Sequence, residues 1–107
     1  MEFREVLAGG KRQRGKTVGL HSMAGGDKET FYVGTIITKK LAPKANQRNY
    51  IRRVIYGFFT DNKQGLTGGT KNIVQLTCDA RDLKRRGLSK EIRKEISEMA
   101  HKAGILK

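Results

Sequence analysis

The sequence predicts an α/β (α+β) two-layer sandwich forming a single domain over residues 1–107, and three observations predict it. Segments with apolar residues on alternate positions are interleaved with segments whose apolar residues recur every three or four positions, in the order α, β, β, α, β, α. Gly pairs at 9–10, 25–26 and 68–69 cut the chain into blocks the size of single elements. With 107 residues, 36% of them hydrophobic, there is material for one modest core and not for two. Helices laid against one sheet satisfy this order.

Taken in turn, Phe3, Val6 and Leu7 follow i, i+3, i+4 spacing, which predicts a short amphipathic helix ended by Gly9-Gly10. A further strand near Gly9–Gly15 would complete a sheet of about four strands. Val18 and Leu20, then Phe31, Val33 and Ile37, alternate within Lys16–Met23 and Thr30–Thr38, and these segments read as strands. Ala24-Gly25-Gly26-Asp27-Lys28 between them supplies turn chemistry, so the simplest joining is an antiparallel hairpin.

After Pro43 the period becomes helical. Asn46 is a candidate cap, and Ile51, Val54, Ile55 and Phe58 make one apolar stripe. With Ile51 as zero, Arg48, Arg52, Asn49 and Arg53 fall at about 60°, 100°, 160° and 200°, a polar arc beside that stripe. Thr60–Thr70 is loop in composition, and Asn72–Cys78 carries Ile73, Val74 and Leu76 as another strand. A last helix is expected with Ser89 as its cap, an apolar stripe of Ile92, Ile96, Met99, Ala100 and Ala103, and Gly104 as its stop.

Charge points to the partner. Twenty-three Lys and Arg against 10 Asp and Glu give a formal net charge of +13. Self-repulsion of that size is relieved by a polyanion, and counterion release from a phosphate backbone favours the association. The chain holds no run of about 18 apolar residues that could span a bilayer, so no membrane partner is expected. The start Met-Glu-Phe-Arg also lacks the apolar stretch of a signal peptide, and the expected location is cytoplasmic.

Protein-type catalytic centres are hard to assemble here. Cys78 is the sole cysteine, which leaves no internal disulfide and reads as a small buried or half-buried side chain. His21 lies in a strand pattern and His101 in a helix, neither with a partner motif. Gly65-Leu-Thr-Gly-Gly-Thr-Lys71-Asn72 fails as a G-x-x-x-x-G-K-S/T phosphate loop, because Thr70 replaces the glycine before Lys and Asn72 replaces the hydroxyl residue. What does stand out is Thr38-Lys39-Lys40 followed by Arg48-Asn49-Tyr50-Ile51-Arg52-Arg53, with no acid between residues 30 and 60. Arg offers forked donors for phosphate, Asn bridges phosphate or a base edge, and Tyr stacks on an unpaired base.

These residues resemble the bacterial ribonuclease P protein family, whose hallmark is V-S-K-K at a strand end followed by a helix bearing R-N-R-I/V-K-R. The counterparts are Ile37-Thr38-Lys39-Lys40 and Arg48-Asn49-Tyr50-Ile51-Arg52-Arg53. Phe3-Arg4-Glu5-Val6-Leu7 through Gly10-Lys11 is similar to the family's opening, and Asn72–Leu76 to its apolar strand after the long loop. The chain departs from the family at Tyr50, where the second Arg stands, at Tyr56, where a basic residue is usual, and at the Ala42-Pro43-Lys44-Ala45 turn.

The resemblance implies a mixed sheet with three helices and a left-handed βαβ crossover, a ribosomal protein S5 domain 2-like fold. It further implies that the chain is the non-catalytic protein component of an endoribonuclease, a monomer in a 1:1 complex with a catalytic RNA subunit. That RNA would hold the Mg2+ ions that mature the 5′ end of precursor tRNA, the protein binding no cofactor by itself. Lys39, Lys40, Arg48, Asn49, Tyr50, Arg52 and Arg53 would contact RNA, and Phe3, His21 and Ile36 would line a cleft for the 5′ leader. The charge alone also fits a ribosomal-type RNA-binding module or a DNA-architectural protein.

Overall fold

A computed structural model describes residues 9–25, 29–81 and 85–106. The helix expected around Phe3, Val6 and Leu7 lies outside them. Four strands, β1 (Lys11–Arg14), β2 (Val18–Ala24), β3 (Phe31–Ile36) and β4 (Thr70–Leu76), form one sheet in the order β1-β2-β4-β3. Helix α1 (Ala45–Asp61) connects β3 to β4, a short 3-10 turn (Lys63–Gly65) follows it, and α2 (Arg85–Ala103) closes the chain. The fourth strand expected near Gly9–Gly15 is β1, and the sheet is mixed: β1–β2 and β2–β4 are antiparallel, β3–β4 parallel.

The expected hairpin between the second and third strands is not formed. The hairpin joins β1 to β2, and β4 separates β2 from β3. The physical reason lies in β4, which is apolar on both faces: Val74 and Leu76 are buried on the helix side, Ile73 on the other. Such a strand belongs in the centre of a sheet. Asn72, fully buried, fits there because both neighbours satisfy it, Ser22 Oγ donating to its Oδ1 at 2.8 Å and its Nδ2 donating to the Tyr32 carbonyl at 3.1 Å.

Alternation sorts the sheet into two faces. Val18, Leu20, Val74 and Leu76, with half-buried Phe31 and Val33, meet Ile51, Ile55 and Phe58 of α1 and Ile92, Ile96 and Ala100 of α2. Arg12, Arg14, His21, Ile36, Ile73 and Gln75 take the opposite face by register. The β1–β2 turn is tied to α2 through the buried Glu95 carboxylate, which accepts from the Thr17 N–H at 3.0 Å and from Thr17 Oγ1 at 2.5 Å. Gly15 is needed at this turn, because a Cβ there would run into that carboxylate.

Both helix starts differ from expectation. The cap residue of α1 is Lys44 rather than Asn46, with the Gln47 side chain reaching back to accept from the Lys44 N–H at 3.0 Å. Helix α2 begins at Arg85, a turn before Ser89, because Leu88 is buried and extends the Ile92–Ile96 stripe backward by one turn. Its stop is at the expected Gly104, at φ +77°, and the buried Ile105 and Leu106 beyond it fold back so that Leu106 bridges Leu66.

Candidate nucleic-acid interface

Helix α1 has two chemically opposed faces. Ile51, Val54, Ile55, Phe58 and Phe59 are buried, whereas Asn49, Arg53 and Tyr56 are exposed and Arg52 is half-buried. The outward residues stand at i, i+3, i+4 and i+7, one continuous stripe along the helix. Arg52 donates through Nη1 to Asn49 Oδ1 at 2.7 Å, which aligns the two side chains.

Arg48 does something else. Its Nη1 donates to the Ala42 carbonyl at 2.9 Å and the Pro43 carbonyl at 3.0 Å, so it staples the turn before α1 to the first turns of the helix. That same turn carries the exposed Lys39 and Lys40 and is closed by the Ala42 N–H on the Thr38 carbonyl at 3.0 Å. Arg48 therefore joins the two cationic segments physically. Tyr50 is half-buried and packs against the core, lining a hollow of about 250 Å3 with Lys44, Gln47 and Arg81. It stands beside the outward stripe rather than on it.

Among the described residues, the ion pairs are Arg81–Asp79 and Arg93–Asp61, and no carboxylate pairs with Lys39, Lys40, Arg48, Arg52 or Arg53. The contrast with Arg81 is instructive. Its forked hydrogen bonds hold the exposed Asp79 carboxyl down at about 2, so that cation is already neutralised. The first turn of α1 also lacks acids, which leaves its positive dipole end uncompensated beside the cations.

On the opposite sheet face, His21 and Ile36 flank Gln75: His21 Nε2 lies 3.0 Å from Gln75 Oε1, and Ile36 is the register partner of Gln75. Arg12, Arg14, Gly19, His21, Gln75 and Thr77 surround a hollow of about 200 Å3. The Nδ1 of His21 is buried and has no hydrogen-bond partner among the described residues. Phe3, expected in the same cleft, lies outside the described residues. Sequence reading overlooked Arg12 and Arg14; the signal was the period-two alternation of Lys11-Arg12-Gln13-Arg14, which puts two Arg on one face.

Cys78 is half-buried as expected, and burial, then the Glu95 carboxylate, push its thiol above the ordinary 9.0. Since the thiolate is the nucleophile, alkylation by iodoacetamide at neutral pH is expected to be several-fold slower than for free cysteine, and urea should restore the rate. The folded state holds this proton more tightly than the unfolded one. Stability from this group is thus present below pH 9.0 and is lost as pH rises through the higher folded value.

The fold and the site define a class: a small basic α+β protein whose crossover helix turns outward a cationic stripe that no carboxylate among the described residues neutralises. The family model described as ribonuclease P matches residues 1–100. The Staphylococcus aureus RNase P protein is similar to this chain with a TM-score of 0.73 at 21% identity, over 92% of this chain and 87% of that one. Two structures of the Thermotoga maritima RNase P protein agree, each at 16% identity. The one in complex with 1-(4-fluorophenyl)-2-thiourea has a TM-score of 0.72 over 87% of this chain and 89% of that one, and the other 0.70 over 91% and 90%. A search of curated proteins found no match. The chain belongs to the ribonuclease P protein family.

Proposed function

We propose that the chain is the RNA-binding protein subunit of ribonuclease P, gripping the catalytic RNA subunit with the α1 stripe and the Lys39–Lys40 turn. The opposite sheet face, with Arg12, Arg14, His21 and Ile36, receives the single-stranded 5′ leader of precursor tRNA, where Arg meets phosphate and flat or apolar groups meet bases. One observation carries the reading: Arg52, Arg53 and Asn49 point outward together, with no carboxylate among the described residues to neutralise the two cations. A phosphate backbone supplies the missing charge.

A cationic stripe repels divalent cations, so this surface does not fit magnesium; the Mg2+ ions and the cleavage chemistry are assigned to the RNA. The protein contributes binding energy and orientation. Its cations also stand in for part of the counterion atmosphere that two folded RNAs need to approach each other. Reconstitution with a bacterial ribonuclease P RNA tests this. Stimulation of precursor-tRNA cleavage should be largest at low magnesium, about tenfold or more, and should shrink as magnesium rises. Absence of stimulation at every magnesium concentration would overturn the reading.

A further inference from the structure

The cationic stripe of α1 runs past Arg53 to an aromatic side chain that charge alone does not explain. Tyr56 is 38% exposed, the one large hydrophobic side chain so exposed among the described residues. It borders a groove of about 670 Å3 between α1 and the start of β3. Phe31, Val33 and Phe59 give this groove an apolar floor, the Phe31 and Phe59 rings 5.5 Å apart and tilted by 38°. Lys63, exposed in the 3-10 turn beyond α1, stands at one rim, and Glu29 lies at another.

Resting on the RNA-binding reading above, we infer that this groove holds one unpaired nucleotide of the RNA subunit, its base against Tyr56 and its phosphate at Lys63. Three features point there. The groove continues the stripe of Asn49, Arg52 and Arg53 by one helical turn, so RNA laid on those residues passes its mouth. Its volume falls within the roughly 300–1,000 Å3 of small-ligand sites. An aromatic floor beside a cation also matches the two halves of a nucleotide, a π-face and a phosphate. A duplex could use the cations but has no free base face for Tyr56, so the occupant is a looped-out residue.

The chain contains no Trp, which makes Tyr56→Trp a unique fluorescent reporter that preserves an aromatic face. Titration with the transcribed RNA subunit should quench this fluorophore while the dissociation constant stays within about threefold of the parent. Tyr56→Ala should weaken binding about tenfold with an unchanged salt slope, since it removes stacking and no charge. An unquenched Tyr56→Trp together with full affinity for Tyr56→Ala would overturn the groove, and so would quenching by precursor tRNA alone or by concentrating the free protein. Arg53→Ala serves as the control: if it weakens binding while both Tyr56 variants are silent, only the groove fails. If Arg53→Ala is silent too, the RNA-binding reading fails with it.

Discussion

Replacing Arg52 and Arg53 together by alanine is expected to weaken binding to the RNA subunit about 30-fold near physiological salt. The two guanidinium groups stand one residue apart on the outward face of α1, and among the described residues neither has a carboxylate partner. With no internal ion pair to break, nearly the whole loss falls on the complex. About 1 kcal/mol for each lost phosphate contact, at tenfold per 1.4 kcal/mol, gives that figure. The slope of log affinity against log salt should fall by about two, one for each cation removed. Substituting lysine at both positions should restore the slope and only part of the affinity, because an ammonium retains the charge and loses the fork. Filter binding across a salt series measures both quantities; an unchanged slope in the double alanine variant would show that RNA does not lie on this stripe.

The second large effect sits on the other side of the same helix. Ile55→Ala is expected to cost about 3 kcal/mol of folding stability, from lost transfer energy and the cavity left among close-packed neighbours. Ile55 is fully buried in the cluster that joins α1, α2 and the sheet. Since a domain of this size is stable by only about 5–15 kcal/mol, the urea midpoint should move by a large fraction of its value. Protein that remains folded should bind RNA with the parental salt slope, as no outward residue has changed. A stability loss below about 1 kcal/mol would mean that α1 is not seated on the sheet as described. The two variants thus separate what holds the helix from what the helix holds.

Much of the site could be read in advance because a helix is a local object. Its period is set by backbone geometry, so Ile51, Val54, Ile55 and Phe58 on one face entail Asn49, Arg52 and Arg53 on the other. Tyr50 was harder, since being beside the stripe or on it depends on what packs next to α1, and there the core takes part of the ring. Arg48 likewise offers a guanidinium in the sequence and a staple for the Ala42 and Pro43 carbonyls in the structure.

By itself, the sequence determined the net charge of the chain, the strand and helix periods, the opposed faces of α1 and the Gly104 stop, all of which depend on composition or near neighbours. Only the tertiary structure decided that β4 sits between β2 and β3, that His21, Ile36 and Gln75 share a face, and that Leu88 draws α2 one turn earlier. Strand order and face-sharing follow from where a strand with buried apolar residues on both faces can be placed, which is a property of all the elements together. No window of residues short enough to show a period contains that information.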